Sequence, residues 1–574
     1  MTARARVALL AILACGCSDL PRQIPEEALA IETVRPRLLD GRHLGPPVVA
    51  GDSGPKRFVG ALYDAFRPAA ATELVVAIDR HYRAPGNDGY EAALERVAER
   101  LRAAGFGSEP GLGLEFLESP LMDRPARGGE RAACRAWTPL SGRVAIATNG
   151  GPERVLHEFT SSEGRDRTML PVHAPSCDLS GPIAMSLEDL DAGEVLVTSA
   201  PPTTALMGRV IERGALALVS ANIEPYNEDP SGKFRHLDAV QYRRLGFGQT
   251  LPVAMISPRS LRAIQAAIDA DPRTTLHLQA SVKYDERPLR TLCATIVGTD
   301  RAHQAVALVS HVQEPGACDN ASGVAGLCES AIGLVTAMKR GAIARPSRSL
   351  VFLWGDEFRQ STVWLERTPL QPVAGFSSDM TGESKEKTGA LALLERMPDP
   401  GAIETFEPDV HTPWGKAHVE RERLKPNGLA LIARCAMLDV AEHAGGWDTA
   451  DHPYEGGSDH DEFIARGLPA VLFWHFTDFA YHTSLDRLEH VDAAEMRRTA
   501  VALLSSALAM ADPKPADLER YLLSLDQERN VRVEAALAGG RDDVAQMWRE
   551  WTDGARQWLR VECLRIPESE LKAK

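Results

Sequence analysis

"SHVQEPGACDNASG", residues 310–323, is the stretch on which the fold turns. It follows the apolar run "AVALV" (305–309) and leads into "VAGLCESAIGLV", whose apolar residues recur at helical spacing. That pattern predicts a buried strand, a loop of small and turn-forming residues, and a helix from Ala321. The loop also carries His311 and, eight positions on, Asp319. An imidazole and a carboxylate at the end of a buried strand call for more than a turn.

Outward from that loop the same rhythm continues. "TLCATIVGT" (291–299), "SLVFLWG" (349–355), "VAGFSSDM" (373–380) and "PAVLFWHF" (469–476) are apolar, β-rich runs. They alternate with helical patterns at 429–445 and 490–511. Such alternation predicts an α/β fold: a mainly parallel mixed sheet flanked by helices. We assign residues 281–512 to this domain and 513–574 to a helical C-terminal extension, where Trp548, Trp551 and Trp558 form one face packed on the body. "GNDGYEAALERVAERLRAAGFG" (86–107) reads as an amphipathic helix stopped by Gly105 and Gly107. It falls in 56–178, taken as the N-terminal part of the same domain, with 108–178 turn-rich and strand-forming. Residues 179–280 show a self-contained strand–helix alternation and are expected to be an inserted smaller α/β accessory domain.

With 574 residues the chain exceeds one compact core, and 44% hydrophobic with 25% charged residues is ordinary globular composition. A net charge of −15, without a Lys/Arg cluster, argues against a nucleic-acid partner. The start, "MTARARVALLAILACGCSDL", has a basic head and a short apolar run ending in "ILACGC", the layout of a signal with a lipobox. Residues 1–15 are expected to be a signal peptide with its lipobox, Cys15 (or Cys17) to become the lipidated first residue and 16–55 to serve as a tether, placing the protein in the bacterial envelope. Nine cysteines, none in CxxC, permit disulfides but no cysteine-built zinc site. After the first 20 residues, no stretch reads as a membrane-spanning helix.

In open α/β sheets ligands bind beyond the carboxyl ends of the strands. The metal-capable residues just after predicted strands are His311, Asp319, Glu357, Asp379 and His482, with Asp356 beside Glu357. One Asp or His at a strand end is usually a turn or cap residue. Five from four strand ends form a set, too many for one tetrahedral zinc site. They suit two ions roughly 3.5–4 Å apart.

"HVQEPGACDNASG", "WGDEF", "SDMTG", "GGSDHDEF" and "YHTSLD" resemble the successive motifs of the zinc aminopeptidase family of bacterial leucyl aminopeptidase and aminopeptidase Y, related to glutamate carboxypeptidase and glutaminyl cyclase. The resemblance covers about 290–510, and the 179–280 pattern resembles the protease-associated domain. It implies a zinc exopeptidase-like, phosphorylase/hydrolase-like fold and an aminopeptidase working on peptides with two zinc ions. By resemblance Asp319 bridges the ions, His311 and Asp379 complete one, Glu357 and His482 complete the other, and Asp356 is the general base. The family usually has Glu at the base position and Asp where Gln313 stands, so Gln313 is expected to orient His311 through its carbonyl. Rival readings are a carboxypeptidase using Arg359 or Arg367 on the substrate carboxylate, a single-zinc cyclase, and a non-catalytic binder. His460 is expected to shape a loop and His475 to be a core residue.

Overall fold

From Ala305 to His311 the central strand is buried without interruption, so both of its faces must be covered. The computed structural model, which describes residues 52–123, 132–148, 151–160 and 164–565, shows how. An eight-stranded sheet runs in the order Leu112–Ser119, Leu289–Ile296, Arg348–Gly355, Arg301–His311, Gln371–Ser378, Ala470–Phe476, Leu391–Glu395 and Thr449–His452. Its middle four strands are parallel, with His311 opposite Gly355, Val309 opposite Ser377, and Ser378 opposite Phe473. This register places three strand ends side by side, and each is followed by a predicted ligand.

One face is covered by helices Lys56–Ala65, Pro68–Asp79, Asp88–Ala104, Ala321–Lys339 and Ala493–Ala511, whose apolar sides form the largest core with Leu308, Phe352 and Phe376. Each such side chain, once withdrawn from water, contributes roughly 1.5–3 kcal/mol. Asn87 caps the helix Asp88–Ala104 by accepting from Tyr90 N, and Gly105, at φ 110°, ends it. Helix Ala321–Lys339 corrects one expectation: by length and composition it could span a membrane, yet it lies buried in this core. Helices Arg359–Arg367 and His460–Ile464 flank the other face through Trp364 and Phe463.

A second sheet of seven strands runs Arg154–Phe159, Ala136–Ala147, Thr275–Asp285, Cys177–Ala184, Val195–Thr198, Ala217–Ser220 and Val253–Met255. It therefore begins at Ala136 and ends at Asp285, outside the 179–280 boundaries expected for the insert. The long strand Thr275–Asp285 pairs with Ala136–Ala147 on one side and Cys177–Ala184 on the other, which ties the earlier segment into this layer.

Helices Leu518–Ala538 and Asp542–Leu564 close the chain against the body. Trp548 is buried, while Trp551 and Trp558 are partly buried on the core. Arg532 reaches Asp409 at 3.1 Å and Asp451 at 3.3 Å in a buried network shared with Arg396. Cysteines 134, 177, 293, 318, 328, 435 and 563 are all free, so no disulfide occurs among the described residues. The expected signal, lipobox cysteines and most of the tether lie outside the described residues.

Candidate metal centre

The 310–323 loop is built from backbone pins. Asp486 accepts from Cys318 N at 2.7 Å and Asp319 N at 2.8 Å, one carboxylate oxygen for each. Asn320 donates to Ser310 Oγ and to the carbonyls of His311 and Ser378, and accepts from Met380 N. Arg83 donates to the carbonyls of Val312 and Gly316, and Arg167 to that of Pro315. Burial lowers the Arg83 pKa to about 10, which still leaves the guanidinium charged at neutral pH. The small residues are required for contact. A Cβ on Gly316 would fall 1.8 Å from Asp486 Oδ2, and one on Gly323 would fall 2.2 Å from Asn320 Oδ1.

Within this frame the donors converge. His311 Nε2 lies 3.2 Å from Asp319 Oδ1, 3.0 Å from Glu314 Oε2 and 3.6 Å from Asp379 Oδ1. Its Nδ1 is 4.0 Å from Glu357 Oε1. His482 Nε2 lies 2.9 Å from Asp319 Oδ2 and 3.3 Å from Glu314 Oε1. One ligand atom each from His311, Glu357 and Asp379 fits within 4.8 Å, as does one each from His311, Glu314 and Asp319. The structure thus brings all five expected ligands together. Glu357, which the resemblance pairs with His482, stands 4.0 Å from the His311 imidazole. Phe358, Met380 and His482 all have left-handed backbones (φ 61°, 52° and 54°), so two ligands are followed by a left-handed residue and a third is one.

The electrostatics show a site built for positive charge. Burial opposes protonation of His482, but the Glu314 and Asp319 carboxylates overcome it and hold its pKa at about 10. Burial likewise opposes a charged His311, and Asp379 with Glu357 drives its pKa well above the ordinary value. Burial pushes Asp379 up to about 7, although His311 pulls it down. Asp319 Oδ2, Asp379 Oδ1 and His482 Nε2 are buried with no hydrogen bond of acceptable geometry. Buried polar atoms are normally satisfied. Three such orphans, one nitrogen and two oxygens, match the donor set that zinc takes, so the residues fit a divalent metal.

Asp356 is buried at the end of strand Arg348–Gly355, and Gln360 N donates to its carbonyl. Its carboxylate acts on Tyr90, whose pKa is raised first by burial and then by Asp356. Gln313 departs from expectation. Its Oε1 accepts from Glu357 N at 2.9 Å and its Nε2 is unbonded, so it positions the Glu357 backbone, not the imidazole. The carboxylate facing His311 Nδ1 is Asp459 Oδ2, at 3.7 Å. Asp459 also accepts from Phe358 N, Ser361 Oγ and Gln360 Nε2, tying the turn after Glu357 to the "GGSDHDEF" loop. Ser458 Oγ donates to Asp379. Arg367, considered for a substrate carboxylate, donates to the Glu118 carbonyl instead.

The second sheet reaches the His482 loop. Tyr242 N and Gln241 Nε2 donate to the His482 carbonyl at 2.6 and 2.9 Å, and Asn227 Nδ2 donates to the Tyr481 carbonyl at 2.7 Å. Tyr481 stacks on His482 with ring centroids 3.9 Å apart, and Tyr226 and Trp414 pack around Tyr481. Glu314, Asp459, Asp486, Arg83 and Arg167 were not singled out from the sequence as site residues. Glu314 was the most findable, since it shares the His311 loop. The arginines act from distant segments through carbonyls, which leave no mark in spacing.

Residues 291–507 match Peptidase family M28. The chain is 24% identical over 460 residues to the probable lipoprotein aminopeptidase LpqL of Mycobacterium tuberculosis (strain ATCC 25618 / H37Rv), covering 75% of this chain and 80% of that one. The M28 peptidase precursor of Shewanella amazonensis SB2B shares the fold at a TM-score of 0.51 and 16% identity, covering 80% of this chain and 97% of that one. A zinc aminopeptidase of Bacillus subtilis aligns at a TM-score of 0.49 and 15% identity, covering 77% of this chain and 94% of that one.

Proposed function

We propose that this chain, whose residues 291–507 match Peptidase family M28, is a metallopeptidase of the aminopeptidase type that removes N-terminal residues from peptides with two zinc ions. The carrying observation is the convergence of His311, Asp319, Glu357, Asp379 and His482, with three buried donor atoms left unbonded. Zinc supplies Lewis acidity toward the scissile carbonyl and acidifies water.

The chain's own residues do the rest. Asp319 presents one oxygen to each imidazole, which is the disposition of a bridge. Asp356 takes the proton from the attacking water and returns it to the departing amine, so atoms and charge balance over the cycle. Because Asp is one methylene shorter than Glu, the turn held by Asp459 and Gln313 sets its reach. Tyr226, Trp414 and Tyr481 form an aromatic wall beside His482, suited to an apolar substrate side chain.

The second sheet is read as a protease-associated-type accessory domain that braces the His482 loop. Residues 1–15 are read as a secretion signal with a lipobox, with Cys15 or Cys17 carrying a lipid anchor, in line with the lipoprotein relative. Membrane attachment then comes through that anchor alone, and nucleic acid is not a partner. Metal analysis of the purified protein, with hydrolysis of aminoacyl-arylamides before and after chelation, tests the reading. Close to two zinc per chain and chelator-sensitive release of the arylamine are expected. Activity that survives complete metal removal would sink it.

A further inference from the structure

We infer that Glu314 is a second bridging carboxylate of the metal centre, a sixth protein ligand beside the five carried by the family resemblance. This rests on the two-ion reading above and goes beyond it. The two imidazoles are joined twice. Asp319 points Oδ1 at His311 Nε2 (3.2 Å) and Oδ2 at His482 Nε2 (2.9 Å). Glu314 does the same from the other oxygen pair, with Oε2 3.0 Å from His311 Nε2 and Oε1 3.3 Å from His482 Nε2. Two carboxylates that each give one oxygen to each half of a site form a doubly bridged cradle.

The placement is imposed by the backbone. Arg83 holds the carbonyls of Val312 and Gly316, and Arg167 holds that of Pro315, so the chain is pinned on both sides of Glu314. Its side chain is nearly nine-tenths buried, at 13% exposed, which a carboxylate tolerates only when paired. Asp319 Oδ2 and His482 Nε2 stand 2.9 Å apart without a well-formed hydrogen bond, which leaves both free to face a cation. Charge agrees as well. Glu314, Asp319, Glu357 and Asp379 together bring four formal negative charges to the site.

The test is a titration of the metal-free full-length chain with Zn2+ against a chromogenic chelator, paired with the visible absorption spectrum of the Co2+-loaded protein. Wild type is expected to bind two ions. E314Q is expected to bind at least one of them roughly 10–100-fold more weakly and to shift the Co2+ bands. E314D, which keeps the charge, should give an intermediate affinity and its own band shift, and it serves if E314Q folds poorly. Unchanged affinities and an unchanged Co2+ spectrum in these variants would overturn the second bridge while leaving the two-ion reading intact. A wild-type stoichiometry below two would instead overturn the two-ion reading.

Discussion

The molecule buries two clusters of histidine and carboxylate along the main sheet, and their difference is instructive. One is the His311–His482 cradle. The other joins Glu395, His452 and Glu455, which also lie within 4.8 Å of one another. In the second cluster His452 has both nitrogens engaged: Nδ1 donates to the Pro453 carbonyl at 2.8 Å, and Nε2 accepts from Trp474 Nε1 at 2.9 Å. Glu455 accepts from Thr412 N, Thr412 Oγ1 and His411 Nδ1, and Glu395 from Gly456 N and His460 Nε2. No imidazole lone pair remains on His452 for a metal. In the first cluster Asp319 and Asp379 oxygens and a His482 nitrogen lack a hydrogen bond, whereas in the second the unbonded atom is a single oxygen, Glu395 Oε2, and both His452 nitrogens are taken. Proximity of His and Glu is therefore not enough. What separates the two is the imidazole: a metal needs a ring nitrogen with a free lone pair facing carboxylates, and on His452 both nitrogens are already engaged.

The sharpest way to break this contrast is Asp319→Asn. It removes the carboxylate shared by both imidazoles and should lower kcat/KM by more than about 1,000-fold with loss of bound zinc, read by metal analysis and arylamide hydrolysis. The matching substitution in the other cluster, His452→Asn, should leave two zinc per chain and cost stability instead, read by thermal melting. Loss of an ion in that variant would erase the distinction.

Asp459→Asn tests the outer support of the cradle. It keeps shape but weakens the carboxylate facing His311 and the turn after Glu357, so zinc affinity or kcat should fall about 10–100-fold. Asn227→Ala removes the strut from the second sheet to the Tyr481 carbonyl, and a rise in KM of roughly 2–10-fold is expected with zinc content unchanged.

The smallest effect concerns a carboxylate of the satisfied kind. Glu495 accepts from His475 at 3.1 Å and from Trp447 at 2.5 Å, and it pairs with Arg498. Burial opposes its charge, but His475 and these partners lower its pKa from 4.5 to about 2. Because the folded value is depressed, its stabilisation is fully present above about pH 4.5 and is lost as pH falls toward 2. That amounts to at most about 3 kcal/mol. Denaturant midpoints should drop across that window in wild type and change less in Glu495→Gln. An equal slope in both would remove Glu495 from the account.

Much of this was legible in the residues. The α/β class, the helix from Ala321 and the five convergent ligands followed from apolar periodicity and from which polar residues terminate it. The helix at 86–107 was readable too, because Gly105 stops it in a left-handed turn. The accessory boundary was not, because Ala136–Ala147 joins the second sheet through a partner strand more than 120 residues away. Gln313 was misassigned because a side chain's direction depends on neighbours that spacing does not reveal.

What the amino-acid order determined alone was periodic: which segments must be buried, and which donors stand at their ends. What only the tertiary structure decided was directional: that Glu314 faces two imidazoles, that Asp459 stands where Gln313 was expected, and that two distant arginines hold the loop by its carbonyls. The reason is physical. Burial is proportional to area and so follows a one-dimensional pattern, whereas hydrogen bonds and coordination depend on angles and on a few tenths of an ångström, which exist only once the chain has folded.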